Sequence, residues 1–429
     1  MNETEKAYEN FKLNERTVHP SLIRAMITVK MAAIETIKLL KQMDLEKADL
    51  IIHACMEILE KDDMKLFITH PLQGGAGTST NMNVNEVLAK RAMELSKKNL
   101  IIDPLDDVNR FQSTNDVYPT ALRIASIQWI RLLSDQVSKL QEALQEKETA
   151  FDSIKKIGRT QLMDALPITL GNEFGSYGQA ISRDRWRIYK VEERLRQVNL
   201  GGTAVGTGSN ADRKYSFLVI EQLRKQTGIG LSRAEYPMDL TQNQDVFVEV
   251  SGLLKGLAVN LMKISNDLRL MNSEPYGEIH LKPLQKGSTI MPGKVNPVIP
   301  EMISQVSIQV MANDSAISYA AMNGQFELNA FLPLIADNLL SSLELLTNGV
   351  RIFREKCIEP LTADVEGCKK HLNSITAIVT RMTPYIGYEL AAALSAQSGE
   401  DIETLHRLAS KYLTQKQLTW VFENENTYL

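Results

Sequence analysis

Five polar, turn-rich stretches of this 429-residue chain, four of them containing glycine, hold the side chains best suited to chemistry: 73–83, 111–119, 158–171, 199–210 and 272–300. From them we select Thr78, Ser113, Thr114, Asn115, Thr160, Gln161, Ser288, Thr289 and Asn296 as neutral hydrogen-bonding groups, and Lys294 as a cation. Neither histidine nor cysteine is in this set. Fixed dipoles around one positive charge suit a small polyanion whose negative charge must be spread over many donors. They do not suit a metal ion or a Ser-His-Asp nucleophile. The histidines at 19, 53, 70, 280, 371 and 406 stand outside the set. His70, just before the first stretch, reads more readily as a surface or packing residue than as a catalytic one.

Taken singly, the segments are ambiguous. Gly74-Gly75-Ala76-Gly77-Thr78-Ser79-Thr80-Asn81 has the look of a phosphate cradle, but no strand precedes it, as a dinucleotide fingerprint requires. A helix-start loop with hydroxyl caps reads equally well. The 287–297 stretch contains Gly293-Lys294 but continues with Val295, so it lacks the Ser/Thr of a P-loop.

The elements that must position these groups are helices. Apolar residues recur at steps of three and four in Val246, Val250, Leu253, Leu257, Leu261, Ile264 and Leu268. Similar stripes run Ile127, Ile130, Leu133, Val137, Leu140, Leu144 and Ile335, Leu339, Leu343, Leu346, Val350, Phe353. Long helices with narrow apolar seams pack lengthwise against partners. The expected class is therefore all-α, with a long central bundle extended by other subunits. Strand signals are sparse and no βαβ unit is visible.

Composition narrows the function classes. The 48 basic and 52 acidic residues are near balance, so neither a nucleic-acid footprint nor a polybasic membrane patch is expected. No run of about 18 uncharged apolar residues suggests a membrane span, and Met1-Asn2-Glu3-Thr4-Glu5-Lys6 does not read as a secretory signal. Cys55, Cys357 and Cys368 are an odd number at no metal-ligand spacing, which argues against a disulfide framework or zinc and fits a reducing cytoplasm. The expectation is a cytoplasmic protein without cofactor or metal.

Gly287-Ser288-Thr289-Ile290-Met291-Pro292-Gly293-Lys294-Val295-Asn296-Pro297 resembles the signature loop of the aspartase/fumarase superfamily. The resemblance continues, in order, through 73–83, Gln112-Ser113-Thr114-Asn115-Asp116, Gly158-Arg159-Thr160-Gln161, 199–208 and Thr383-Pro384-Tyr385-Ile386-Gly387-Tyr388. It covers nearly the whole chain and is nearest to the aspartate ammonia-lyases.

The resemblance implies a three-domain, all-α fold: an N-terminal domain over 1–113, a long-helix bundle over 114–366 and a small C-terminal domain over 367–429. It implies a homotetramer with a twenty-helix core, each site shared by three subunits, and anti elimination across a Cα–Cβ bond. Ser288 would be the general base, assisted by Lys294. Thr78, Ser113, Thr114 and Thr289 would hold the carboxylate beside the abstracted proton. Lys294, Asn296 and Thr160 would hold the other carboxylate, and Asn115 and Gln161 would face the leaving amine. Fumarases place histidine where this chain has Gln161, although the acidic partner remains as Glu301, so ammonia is the better leaving group.

Several departures stand near the site: Ser273-Glu274-Pro275-Tyr276-Gly277 for the usual Ser-Gly-Pro-Arg, His70-Pro71-Leu72 for Asp-Met-Tyr, Thr289 for a second serine, and Lys6 for arginine. The chain also starts short of the family's usual N-terminal segment. L-aspartate is the first expectation. Another amine, as in ergothionase, is the alternative, followed by fumarate hydration. A structural protein, as among lens crystallins, fits least because the reacting residues are retained.

Overall fold

The computed structural model describes residues 2–97, 100–370, 372 and 374–423; Met1 and His371 lie outside them. Helices dominate, the longest being Thr114–Ala150, Leu170–Leu195, Asp245–Met271, Val298–Ala321 and Leu332–Phe353. Every residue of the stripes at 127–144 and 335–353 is buried. In Asp245–Met271 the upper seam is displaced by one residue. Phe247 and Leu254 are buried where Val246 and Leu253 were expected, because the larger Phe247 ring takes the core position. The all-α class holds, with only short strand pairs among the described residues.

The chain forms two compact units, each from three stretches. The first comprises 1–135, 184–258 and 306–348. There Pro20–Leu39 packs on Leu45–Lys61 and Arg213–Thr227, and Leu45–Lys61 packs on Thr78–Leu95. Leu45–Lys61 starts where Asp44 accepts from the backbone N–H of Glu46 and Lys47, satisfying two of the donors a helix start leaves open.

The second unit comprises 136–183, 259–305 and 349–429. Its C-terminal helices Ile375–Ile386, Tyr388–Ser398, Ile402–Ala409 and Gln415–Glu423 enclose a core of Ile378, Met382, Leu394, Leu405, Ala409, Leu413, Leu418 and Val421. Here the structure corrects one expectation. Residues 158–171, read as an irregular loop, contain most of an antiparallel hairpin, Lys155–Thr160 against Met163–Thr169. Its two-residue turn is Gln161-Leu162, at φ 55° and 63°. Two left-handed residues in succession are the signature of the hairpin turn usually built from Asn-Gly or Gly-Gly, and neither is present, so the usual signal was missing.

Candidate active site

Thr78, Ser113, Thr114 and Asn115 line one cleft of about 570 Å³ in the first unit. Thr78 begins the helix Thr78–Leu95 after Gly77 at φ 96°. A Cβ on Gly77 would lie 2.3 Å from the Tyr118 ring, so only glycine fits. Ser113 caps the helix Thr114–Ala150: its N–H donates to Asp116 Oδ1 at 3.0 Å, and its Oγ accepts from Asn115 N at 3.2 Å. Thr114 Oγ1 accepts from Asn81 Nδ2 at 3.2 Å. As acceptors in these bonds, both hydroxyls keep their own protons for another partner.

Pro119, read as the end of a loop, lies inside this helix. Proline removes the bond its N–H would make to the carbonyl four residues back, here Asn115. Asn199 Nδ2 donates to that carbonyl at 3.1 Å instead, and Asn115 Nδ2 donates to Ala204 O at 2.8 Å. Asp116 Oδ2 accepts from Gly201 N and Thr203 N, each at 3.0 Å. The 199–204 loop is thereby tied to the helix start at four points.

Beneath the cleft lies a buried cation that the sequence reading missed. Lys30 Nζ donates to Asn109 Oδ1 at 3.2 Å and Gln112 Oε1 at 3.1 Å, and Asn109 Oδ1 also accepts from Asn81. Burial lowers the Lys30 pKa to about 7, against the opposing charge of Asp116. Burial likewise raises Asp116 to about 6, against three backbone N–H groups and Lys30. Neither residue carries a spacing signal. Asn81, Asn109, Thr203, Thr207 and Ser209 also line the cleft; only the amide and hydroxyl content of their segments could have suggested them.

Ser288, Thr289 and Lys294 line a concavity of about 1180 Å³ in the second unit, with Lys286, which the sequence reading did not select. The neck of the loop is closed by Gly287 N to Lys294 O at 2.9 Å and Asn296 Nδ2 to Gly287 O at 2.7 Å. Ser288 Oγ accepts from Ile290 N at 3.2 Å and Met291 N at 2.9 Å. Hydrogen bonds donated to an oxygen favour its charged form. Ile290, 84% exposed, forms the crest of the loop. Thr160 and Gln161 stand exposed at the hairpin tip and line neither cleft. The ten selected residues thus fall into three groups.

His70 is a packing residue. Its Nδ1 accepts from Leu72 N at 3.0 Å and its Nε2 meets Asn14 Oδ1 at 3.1 Å. Glu301 lies 3.6 Å from Arg269.

Residues 1–312 match the profile of the family described as Lyase. The aspartate ammonia-lyase of a Bacillus species is 42% identical over 425 residues, covering 97% of this chain and 91% of that protein. That of Bacillus subtilis (strain 168) is 40% identical over 431 residues, covering 97% and 90%. The crystal structure of class II fumarase from Schistosoma mansoni matches with a TM-score of 0.94 at 31% identity, over 99% of this chain and 94% of that one. Fold and loops together define an all-helical lyase. The chain belongs to the aspartase/fumarase superfamily.

Proposed function

We propose that this chain eliminates ammonia from L-aspartate to give fumarate. The two similar aspartate ammonia-lyases support the substrate, and the observation that carries the mechanism is Ser288 Oγ, which accepts two amide N–H bonds. Those donors, with the Lys294 charge, favour the alkoxide a serine base requires. Ser288 takes the Cβ proton, the electron pair forms the double bond through an aci-carboxylate, and the C–N bond breaks as ammonia leaves. Thr78, Ser113, Thr114 and Thr289 donate to the carboxylate that gains the second charge, and these bonds strengthen most in the transition state. Lys294, Asn296 and Thr160 hold the other carboxylate, and Asn115 and Gln161 face the amine.

The reading includes a cytoplasmic homotetramer whose sites are each shared by three subunits. Exposed Trp186, Tyr189, Val259, Ile308 and Tyr319 on the long helices support association. No helix among the described residues is long and apolar enough to cross a membrane. The division at 113/114 and 366/367 remains part of this proposal. Another amine is the second reading, favoured by Tyr276 in the 273–277 turn, where its ring meets Arg159.

Incubation with L-aspartate should raise ultraviolet absorbance as fumarate forms, while L-malate should give no turnover. Turnover of malate alone would overturn the choice of leaving group. Turnover of ergothioneine alone would move the assignment to the second reading.

A further inference from the structure

We propose that Arg159, Tyr276 and Glu278 form a clamp that positions the hairpin tip, with Tyr276 a positioning residue for Thr160 and Gln161. The inference rests on reading those two residues as substrate contacts. The tip needs outside support. Its turn, Gln161-Leu162, is left-handed at two non-glycine residues, a conformation that persists only where the surroundings over-determine it. Both turn residues are solvent-exposed, so their own packing supplies little restraint.

The restraint comes from the residues just below. Arg159 directly precedes Thr160, and its cross-strand partner is Asp164. Its Nε donates to Asp164 Oδ1 at 3.2 Å, which bridges the two strands beneath the turn. Its Nη1 donates to Glu278 Oε1 at 2.6 Å. The central carbon of the guanidinium, Cζ, lies over the Tyr276 ring, 4.5 Å from the centroid. A guanidinium bonded to two carboxylates and set over an aromatic ring has little freedom left.

Glu278 is a fixed anchor. It is fully buried, its N–H donates to Met271 O at 2.8 Å, and its carbonyl accepts from Asp364 N at 2.9 Å. Its second carboxylate oxygen lies 2.6 Å from Lys156 Nζ, which also reaches Glu173 at 2.5 Å. Burial alone would lower the Lys156 pKa, but Glu173 and Glu278 outweigh it and hold it above the usual lysine value. Lys156 and Arg159 stand three residues apart, which in a regular strand would turn them to opposite faces. The hairpin register shifts between Ile157 and Arg159, and both cations reach one carboxylate. Of the clamp residues, Tyr276 alone is uncharged, so replacing it leaves the buried charges balanced.

Steady-state kinetics on L-aspartate with the full-length enzyme tests the clamp. Tyr276→Leu keeps bulk but removes the aromatic face, and should raise KM about tenfold with a melting temperature within about 3 °C of wild type. Tyr276→Phe restores the face and should behave as wild type. Arg159→Lys keeps the charge but loses the fork, and should raise KM as Tyr276→Leu does. Thr160→Ala is the internal standard. Because Tyr276 acts through the tip, the double variant Thr160→Ala/Tyr276→Leu should be no worse than the worse single variant. Normal KM in Tyr276→Leu beside a raised KM in Thr160→Ala would overturn the clamp, as would full additivity in the double variant. Wild-type kinetics in Thr160→Ala would instead overturn the reading of the tip as a substrate contact.

Discussion

Asn199 Nδ2 donates at 3.1 Å to the carbonyl of Asn115, the acceptor that Pro119, four residues further along the helix, cannot serve. The missing N–H of a proline inside a helix is thus the docking point for a distant loop. Asn199 is fully buried, so losing its amide would strand a carbonyl.

The Asn199→Ala variant should be destabilised by about 1–3 kcal/mol and should raise KM, because the Asn115 side chain depends on the same loop. Adding Pro119→Ala to that variant gives the carbonyl a helical N–H again. Urea unfolding should show partial recovery of stability in the double variant. Recovery absent from the double variant would refute the account of Pro119.

Asp116 gives a pH prediction. Its folded pKa, raised to about 6, stands above that of an unfolded aspartate near 3.8. The folded protein therefore holds the proton more tightly. This group's contribution is complete below about pH 4 and is lost as pH rises through about 6. Asp116→Asn removes the titration. The stability of wild type relative to Asp116→Asn should fall by about 1–3 kcal/mol between pH 4 and pH 7. A difference independent of pH would show that Asp116 titrates as it does in the unfolded chain.

Ser288 and Lys294 should separate in binding and turnover. Ser288→Ala should keep near-normal fumarate affinity while losing most of kcat, since only the proton acceptor is removed. Lys294→Ala should weaken fumarate binding about tenfold or more, because a charge-assisted contact of roughly 1.5–3 kcal/mol is lost. Titration calorimetry with fumarate distinguishes them. Near-full turnover in Ser288→Ala would assign the base elsewhere.

Shared sites predict complementation. Ser288→Ala and Thr160→Ala, assayed at L-aspartate well below the raised KM of Thr160→Ala, should regain some activity when mixed under subunit exchange, because some sites then receive both intact groups. A fully active monomer in light scattering and assay would exclude this arrangement.

The long helices were legible because period and burial coincide: Leu339, Leu343 and Leu346 are spaced as one face must be, and all are buried. The polar loops were legible from their content, and four of the ten selected residues do meet in one cleft. The hairpin at 155–169 was not, since Gln161-Leu162 turns without glycine or asparagine. Lys30 and Asp116 were missed for another reason. A buried charge within a helical pattern looks like any solvated one until its neighbours are known. Phe247 displaced Val246 because ring size, which period alone does not weigh, decided which side chain filled the core.

The left-handed turn at Gln161 also bears on how such enzymes diversify. Among residues with side chains, asparagine, aspartate and histidine enter this backbone region most readily. Histidine is the residue that the family resemblance sets here for the fumarases. The strand ends would therefore accept Gln161→His without remodelling, because the conformation already in place suits imidazole at least as well as the native amide. If Gln161 faces the departing amine as proposed, the hairpin is a socket: the main chain fixes where the group stands, and the plug can be changed.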